Sequence, residues 1–171
     1  ITTTGFTTVD YDIWPPLSRA ILLLLMFVGG SGGSTGGAIK VVRMNVLAKH
    51  SIRELKRAVY PRRVTVIRLN GKAVPEEVSS AVLAFVVLYV SVFLLSMLAL
   101  SAMGLDFMSA VGAVAATLGN IGPGFGLVGP ACNYSAVPTI GKWLLSFCML
   151  VGRLEVYTVL SLLVPGFWRK P

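Results

Sequence analysis

The sequence predicts an all-α membrane protein built from membrane–pore–membrane repeats, each with a re-entrant pore helix and an extended filter strand. Three observations predict this fold class. The composition suits a protein solvated by lipid, glycine-rich segments interrupt apolar stretches, and one block of sequence recurs later in the chain. Non-helical backbone at membrane depth is tolerated only where it is buried in protein or lines a water-filled cavity. The glycine-rich segments are therefore the first candidates for function.

The composition places most of the chain in lipid. The 171 residues are 55% hydrophobic and only 13% charged, with a mean hydropathy of +0.79. A soluble domain carries about 25% charged residues. The net charge of +8 is concentrated between Lys40 and Lys72, with apolar stretches on both sides. The positive-inside rule favours a cytoplasmic loop here over a nucleic-acid-binding patch, so the expected partner is the lipid bilayer and not nucleic acid.

Three apolar stretches predict membrane spans. The first, residues 17–28, is short and continues after a glycine-rich run at 29–37 as residues 38–42, which predicts a broken helix. Each glycine lowers helix propensity by about 1 kcal/mol relative to alanine, so this run does not form a stable helix. The second span covers residues 78–103, and the last covers residues 139–164.

A short helix and a glycine-rich strand lie between the second and last spans. Residues 107–118 are small and apolar, follow a potential capping residue at Asp106, and are too few to cross a bilayer. Residues 119–126 contain too much glycine and proline to be helical. The pattern predicts a re-entrant loop, which dips from the outside because the basic stretch is cytoplasmic.

The basic stretch itself predicts a helix and a hairpin. Residues 44–60 have an amphipathic pattern that ends at Pro61, and Asn70-Gly71 is a strong turn signal. The predicted divisions are a filter strand and broken helix at residues 1–43, a basic cytoplasmic helix and linker at 44–75, and a complete repeat at 76–171. His50 is expected to be a solvated side chain, since it has no neighbours for a metal site. Cys148 is expected to be a buried thiol, and a bridge to Cys132 is the less favoured alternative.

One block of sequence recurs after a shift of 123 residues. The shift pairs Asp10 with Asn133, Tyr11 with Tyr134, Pro15 with Pro138, Arg19 with Lys142 and Gly29 with Gly152. Chance is the alternative in so biased a composition, but the tyrosine, the proline and the basic residue recurring together favour a true repeat. A glycine-containing, uncharged segment precedes each block. We expect the chain to be part of a longer polypeptide, starting at the filter strand of one repeat and holding a full further repeat.

The two glycine-containing segments have the chemistry to bind a dehydrated cation through backbone carbonyl oxygens. In the run Thr2-Thr3-Thr4-Gly5, glycine lets a carbonyl turn toward a common axis, and threonine adds hydroxyl oxygens without a full charge. Asn120, Ile121 and Gly122 can do the same before the second block. The segments therefore predict a potassium-channel-like filter.

Two other glycine patterns are rejected as nucleotide sites. Residues 124–129 fit the dinucleotide fingerprint but lack a βαβ context. The glycines of residues 32–37 have the spacing of a phosphate-binding loop, but Ala38 stands where that loop needs lysine. The sequence therefore indicates a transport protein and not an enzyme.

Arg153 is a charge near the middle of the last predicted span. Such a charge costs at least about 2.5–3.5 kcal/mol on insertion scales. Glu155 is two residues away and faces a different side of a helix, so the two do not form a simple intrahelical pair. Arg153 either pairs with polar groups on neighbouring helices or acts as a positive barrier in a pore, and the second interpretation is favoured.

Taken together, these motifs resemble the Trk/Ktr/HKT superfamily of potassium transporters, and most closely its bacterial TrkH branch. The resemblance covers essentially the whole chain and rests on motifs in the expected order and spacing. The motifs are residues 2–8 (TTTGFTT), 29–37 (GGSGGSTGG), 120–124 (NIGPG) and 152–155 (GRLE).

The resemblance implies a protein of four membrane–pore–membrane repeats in the bacterial inner membrane, with several spans. This chain corresponds to the filter and second helix of the third repeat and the whole fourth repeat. The implied potassium-binding filter is Thr3, Thr4, Gly5, Asn120, Ile121 and Gly122. The implied gating loop is Gly29, Gly30, Ser31, Gly32, Gly33, Ser34, Thr35, Gly36 and Gly37, with Lys40 helping to close it. Arg153 is the implied pore barrier.

The resemblance also implies the ligands and partners of the protein. Potassium is the transported ion, and no organic cofactor is expected. Members of the superfamily work as homodimers with a cytoplasmic nucleotide-binding regulatory subunit of the TrkA type. The basic stretch from Met44 to Lys72 is the expected contact surface for that subunit.

Two alternatives to a potassium transporter remain open at this point. One is a secondary transporter of another cation or small solute, coupled to sodium or protons, with the broken helices as its binding site. An organic solute would require a shaped polar pocket, whereas uncharged carbonyl strands suit bare monovalent cations. The other alternative is a membrane scaffold or receptor, which gives no reason for an arginine at mid-span beside glycine-rich breaks.

Overall fold

The computed structural model describes residues 3–34, 36–60, 66–69, 71–154 and 157–159, and in these it is all-helical apart from one small hairpin. The helices are α1 (Pro16–Val28), α2 (Val41–Val59), α3 (Glu76–Ala102), α4 (Phe107–Leu118) and α5 (Thr139–Leu154), and residues 157–159 are again helical. The sequence predicted this class and placed α1, α3 and α4 to within two residues. The last predicted span continues beyond residue 159 and so lies partly outside the described residues.

Helix α3 is the long apolar helix of the structure. It begins after Pro75 with Glu76 and Glu77 in its first turn, where acidic side chains favour the positive end of the helix dipole. In the part of the chain that the structure describes, α3 is the one helix long and apolar enough to cross a membrane, with a hydropathy of 2.7 over its best window. Only 28% of that window is buried inside the chain, so much of its apolar surface is left for lipid or for other segments.

Helix α4 forms the centre of the core. Asp106 caps its N-terminus by accepting a hydrogen bond from the backbone amide of Ser109 at 3.1 Å. Every residue from Ser109 to Leu118 is buried, and α4 packs against α3, α5 and α1. Its small side chains, mostly alanine, valine and glycine, let three helices approach it closely. The short apolar helix predicted at 107–118 is therefore a buried helix and not a surface one.

The two blocks of the sequence repeat have the same local structure. A 3-10 turn at Tyr11–Ile13 precedes α1, and a 3-10 turn at Tyr134–Ala136 precedes α5, again 123 residues later. Asp10 caps the first turn by accepting from the amide of Asp12 at 2.9 Å, and Asn133 caps the second by accepting from the amide of Ser135 at 2.9 Å. The agreement of both turns and both caps supports a true repeat over chance.

Helix α2 begins at Val41, three residues earlier than the sequence predicted, because the chain turns directly into the helix at Lys40, which has a positive φ of 73°. The predicted hairpin is present as β1 (Arg68–Leu69) and β2 (Lys72–Ala73), which pair antiparallel. Residues 61–65 and 70, which include Pro61 and Asn70 of the prediction, lie outside the described residues.

The sequence also predicts the environment of two individual residues, His50 and Cys148. The expectation of a solvated His50 is wrong, because its ring nitrogen Nδ1 lies 2.8 Å from the hydroxyl of Ser79, which is buried at the start of α3. Cys148 is a buried thiol as predicted, and its sulfur donates to the hydroxyl of Ser96 at 3.2 Å. Both Cys148 and the exposed Cys132 are free.

Candidate functional site

The two candidate filter segments share one unusual backbone pattern. Thr3 and Gly5 have positive φ values of 56° and 79°, and Asn120 and Gly122 have positive φ values of 53° and 114°. A left-handed backbone conformation is rare in residues other than glycine, so its occurrence at alternate residues is unusual. In an extended strand, successive carbonyl groups point to opposite sides, and reversing every second residue turns them toward one side. Both segments therefore have a backbone suited to a row of carbonyl oxygens.

The structure brings the two segments together, although 117 residues separate Gly5 from Gly122. A Cβ atom at Gly5 would overlap with the carbonyl oxygen of Ile121. No residue larger than glycine fits at this contact. The positive φ of Gly5 also disfavours any residue with a side chain at this position. One cavity of about 220 Å³ lies against Thr3, Thr4, Gly5 and Ile121. Thr2 of the predicted run lies outside the described residues.

The downstream segment, residues 119–126, is held by hydrogen bonds at three successive residues after Gly119. The amides of Asn120 and Ile121 donate to the carbonyls of Thr117 and Ala116 at 3.0 and 2.8 Å, so the backbone leaves α4 in a tight turn. The carbonyl of Gly122 accepts a hydrogen bond from the hydroxyl of Tyr134 at 2.7 Å. The Gly122 carbonyl is thus already engaged, which leaves Asn120 and Ile121 as the carbonyls that the resemblance implies for ion binding.

Asn120 connects the downstream segment to α5. Its side-chain amide donates to the carbonyl of Met149 at 3.2 Å. Gly152 lies on the same side of α5, and a Cβ atom there would overlap with the carbonyl oxygen of Leu118 and lie 2.7 Å from the Asn120 amide nitrogen. The backbone of α5 therefore approaches the end of α4 as closely as glycine permits.

The glycine-rich loop at 29–37, which the family resemblance implies is a gate, folds beside both segments. It closes on itself, because the amide of Ile39 donates to the carbonyl of Phe27 and the amide of Val41 donates to the carbonyl of Gly30, each at 3.1 Å. A Cβ atom at Gly36 would lie 2.6 Å from the hydroxyl oxygen of Thr3, and one at Gly37 would lie 2.5 Å from the carbonyl oxygen of Gly119. The loop thus contacts the upstream and the downstream segment. Thr35 lies outside the described residues.

The loop and α5 share a small cavity with two cations. A cavity of about 120 Å³ is lined by Ser34, Gly36, Lys40, Gly152 and Arg153, together with aromatic residues of α3. Arg153 directly follows Gly152, the residue of α5 that contacts Leu118 and Asn120. Arg153 therefore lies beside the glycine-rich loop and next to the residue of α5 that contacts the end of α4. Glu155 lies outside the described residues.

Three residues that the sequence assigned no role lie against the downstream segment. Tyr11, Asp12 and Arg19 reach the loop at Phe125 and Gly126 from the turn and helix that precede the glycine-rich loop. Tyr11 and Arg19 served only as markers of the repeat in the sequence. One feature of the sequence could have indicated a role here: Asp12 is acidic, whereas the second block has Ser135 at the equivalent position.

The fold is that of a helical membrane protein, and its candidate site is made mainly of backbone oxygens, glycine and two cations. The family model described as TrkH, cation transport protein, matches residues 1–168. The chain belongs to this family, which confirms the resemblance seen in the sequence.

Individual relatives agree with the family match. Over 169 residues, the chain is 48% identical to the Trk system potassium uptake protein TrkH of Vibrio parahaemolyticus and 47% identical to TrkH of Escherichia coli. Over 170 residues, it is 37% identical to the Trk system potassium uptake protein TrkG of Escherichia coli. Each match covers 99% of this chain but only 34 or 35% of the relative. The chain thus spans about a third of the length of these relatives.

The fold is also similar to that of a solved structure. The crystal structure of the potassium transporter TrkH from Vibrio parahaemolyticus matches with a TM-score of 0.88 and 47% sequence identity. The match covers 98% of this chain and 36% of that chain. The helical arrangement described above is therefore that of a TrkH-like transporter.

Proposed function

We propose that the protein to which this chain belongs takes up potassium ions across the cell membrane through a filter of backbone carbonyls. The observation that carries the proposal is the shared left-handed pattern at Thr3 and Gly5 and at Asn120 and Gly122, with Gly5 in contact with Ile121. Two segments of this kind, side by side, supply part of the carbonyl ring that replaces the hydration shell of a cation. The Thr3, Thr4, Asn120 and Ile121 carbonyls bind the ion in this proposal.

Helix α4 acts as the pore helix in this proposal. It ends at Leu118, directly before the filter residues, and its C-terminal end carries the negative pole of the helix dipole. A negative pole beside uncharged carbonyls favours a cation and not an anion. A re-entrant position for α4 is supported by its length, since a buried helix of 12 residues is too short to cross a bilayer.

The loop at 29–37 is the proposed gate and Arg153 the proposed barrier. The loop touches Thr3 and Gly119, so its position and the filter are mechanically connected. Lys40 and Arg153 line the same cavity beside the loop, and two positive charges there oppose the passage of a cation. Movement of the loop away from the filter segments would enlarge this cavity and open the path.

The whole protein is proposed to be a multi-pass protein of the bacterial inner membrane with four repeats. It acts as a homodimer with a nucleotide-binding regulatory subunit of the TrkA type on its cytoplasmic side. The basic stretch from Met44 to Lys72 is the proposed contact, since it carries eight of the 15 lysines and arginines and lies between α1 and α3 in the chain. The divisions at residues 1–43, 44–75 and 76–171 correspond to the filter with its broken helix, this basic linker and the last repeat.

The proposal is tested with the full-length protein in cells that lack their own potassium uptake. We expect it to restore growth at low external potassium and to give saturable potassium uptake that sodium competes with poorly. Potassium uptake into liposomes that contain the purified protein then distinguishes a channel-like path from coupled transport. Uptake driven by a potassium gradient alone supports a channel-like path. Potassium uptake that requires a sodium or proton gradient indicates coupled transport of the same ion. Preference for another cation or solute contradicts the proposal and favours a secondary transporter of that solute.

A further inference from the structure

Asp12 makes a contact across the chain to Gly126, in the loop that follows the filter residues Asn120, Ile121 and Gly122. Its carboxylate oxygen Oδ2 accepts a hydrogen bond from the amide of Gly126 at 2.8 Å, over 114 residues of sequence. Its other oxygen, Oδ1, lies 2.9 Å from the guanidinium of Arg19, and both side chains are about three-quarters buried, at 23% and 26% exposure. Because the acceptor is charged and the ion pair is largely buried, this contact is stronger than a neutral hydrogen bond.

Phe125 is the apolar centre of the same contact. Its side chain is fully buried, and the ring of Tyr11 meets it edge-on with the centroids 5.3 Å apart. The Arg19 guanidinium lies 5.9 Å from the centroid of the Phe125 ring. The hydroxyl of Tyr11 donates to the carbonyl of Gly124 at 2.8 Å, and burial raises the pKa of Tyr11 to about 12. Tyr11 therefore remains a neutral hydrogen-bond donor at physiological pH.

The loop held in this way is directly continuous with the filter residues. The amide of Leu127 donates to the hydroxyl of Ser109 at 2.8 Å, and the amide of Gly124 donates to the carbonyl of Val128 at 2.7 Å. Residues 124–126 are thus held by α4 on one side and by Tyr11, Asp12 and Arg19 on the other. Only Pro123 separates Gly122 from this loop.

The second block of the repeat does not have the same contact. Ser135 stands at the position of Asp12, and Lys142 stands at that of Arg19. Lys142 is exposed and donates to the carbonyl of Ser135 at 3.2 Å, within its own block. The carboxylate is therefore specific to the first block and is not a feature required by the 3-10 turn.

We propose that Tyr11, Asp12 and Arg19 are positioning residues that hold the loop at Phe125 and Gly126, and so keep Asn120–Gly122 aligned with Thr3–Gly5. We refer to these three residues as the clamp. The inference rests on the proposed function, since it assigns the clamp a part in discrimination between potassium and sodium. Ion binding depends on the number and arrangement of the carbonyls that replace the hydration shell, and the clamp maintains that arrangement from outside the filter.

The test uses the full-length protein in liposomes, with potassium and sodium uptake measured separately for each variant. Asp12→Asn keeps an acceptor for Gly126 but removes the charge. We expect the potassium-to-sodium uptake ratio to fall about tenfold, the order of change that loss of a charge-assisted hydrogen bond produces. Potassium uptake itself should remain. Asp10→Asn is the matched control, since it removes one carboxylate from the same turn and copies the natural cap Asn133.

Two further variants make the outcome decisive. Tyr11→Phe removes only the hydroxyl that donates to Gly124 and keeps the buried ring, so we expect a smaller fall in the uptake ratio. Arg19→Lys keeps the charge with a different donor geometry and should retain more selectivity than Arg19→Gln. A wild-type ratio in both Asp12→Asn and Tyr11→Phe overturns the inference. If Asp12→Asn does not reach the membrane, Tyr11→Phe alone decides, and its wild-type ratio overturns the inference. A wild-type protein that does not prefer potassium contradicts the proposed function instead.

Discussion

The side-chain amide of Asn120 donates a hydrogen bond to the backbone carbonyl of Met149, 3.2 Å away on α5. Asn120 is also a left-handed residue of the downstream filter segment, with a φ of 53°. One residue thus adopts the backbone that the filter requires and connects it to the helix that carries Arg153. Movement of α5 relative to α4 is therefore expected to change the geometry at the filter.

Asn120→Asp tests this connection directly. Aspartate tolerates the left-handed backbone but replaces the donor with a carboxylate oxygen facing the Met149 carbonyl. We expect a loss of about 0.5–1.5 kcal/mol of stability, the net contribution of one intramolecular hydrogen bond, seen as a fall in the melting temperature of the purified full-length protein. Asn133→Asp is the control, because Asn133 is an exposed cap that aspartate replaces well. Equal melting temperatures for the two variants would show that the Asn120 hydrogen bond contributes nothing.

Arg153→Gln tests the barrier. Removing one of the two cations at the cavity beside the loop lowers the electrostatic cost of a potassium ion there, while Lys40 remains. We expect the maximal rate of potassium uptake to rise roughly three- to tenfold at equal protein amount, a change within the range that local charge produces. Lys142→Gln removes a cation from the exposed start of the same helix and should leave the rate unchanged. An unchanged or reduced rate in Arg153→Gln, with Lys142→Gln normal, contradicts the barrier role.

The cap of α4 predicts a pH dependence of stability. Hydrogen bonding from Ser109, first through its hydroxyl and then through its backbone amide, lowers the pKa of Asp106. A carboxylate with a lowered folded-state pKa contributes stability above its unfolded pKa of about 3.9 and loses it as the pH falls through the folded value. The wild-type protein should therefore melt at a higher temperature than Asp106→Asn at pH 6, and this advantage should begin to shrink below about pH 4 and vanish once the pH is below the lowered folded-state pKa. A constant difference from pH 6 to pH 3 would rule out the contribution of the charged form.

Local signals in the sequence were sufficient for the helices and for the positions of the candidate filter. A long run without charge predicts α3, and Asp106 before small apolar residues predicts the start of α4. Gly5 and Gly122 each indicate a position where the backbone can adopt a positive φ, because other residues rarely do so. These features depend on a few neighbouring residues, so they can be read without the fold.

Contacts between distant residues could not be predicted in this way. The hydrogen bond from Gly126 to Asp12 joins residues 114 apart, and nothing near Asp12 indicates that partner. His50 lies among basic residues, which suggested solvation, but α2 packs on α3 and brings its ring to Ser79. Thr3 and Asn120 adopt the left-handed conformation without being glycine, which only the tertiary contacts around them determine.

The most direct test of the central claim is the ion selectivity of Gly5→Ser compared with Gly104→Ser. Both glycines have a positive φ, at 79° and 95°, but a Cβ atom at Gly5 would overlap with the Ile121 carbonyl whereas one at Gly104 meets nothing within 4 Å. The two variants thus share the backbone strain, and only one of them disturbs the filter. In liposomes containing the full-length protein, Gly5→Ser should lose most of the preference for potassium over sodium, while Gly104→Ser should keep it. Equal, wild-type selectivity in both variants would contradict a filter at Gly5 and Ile121.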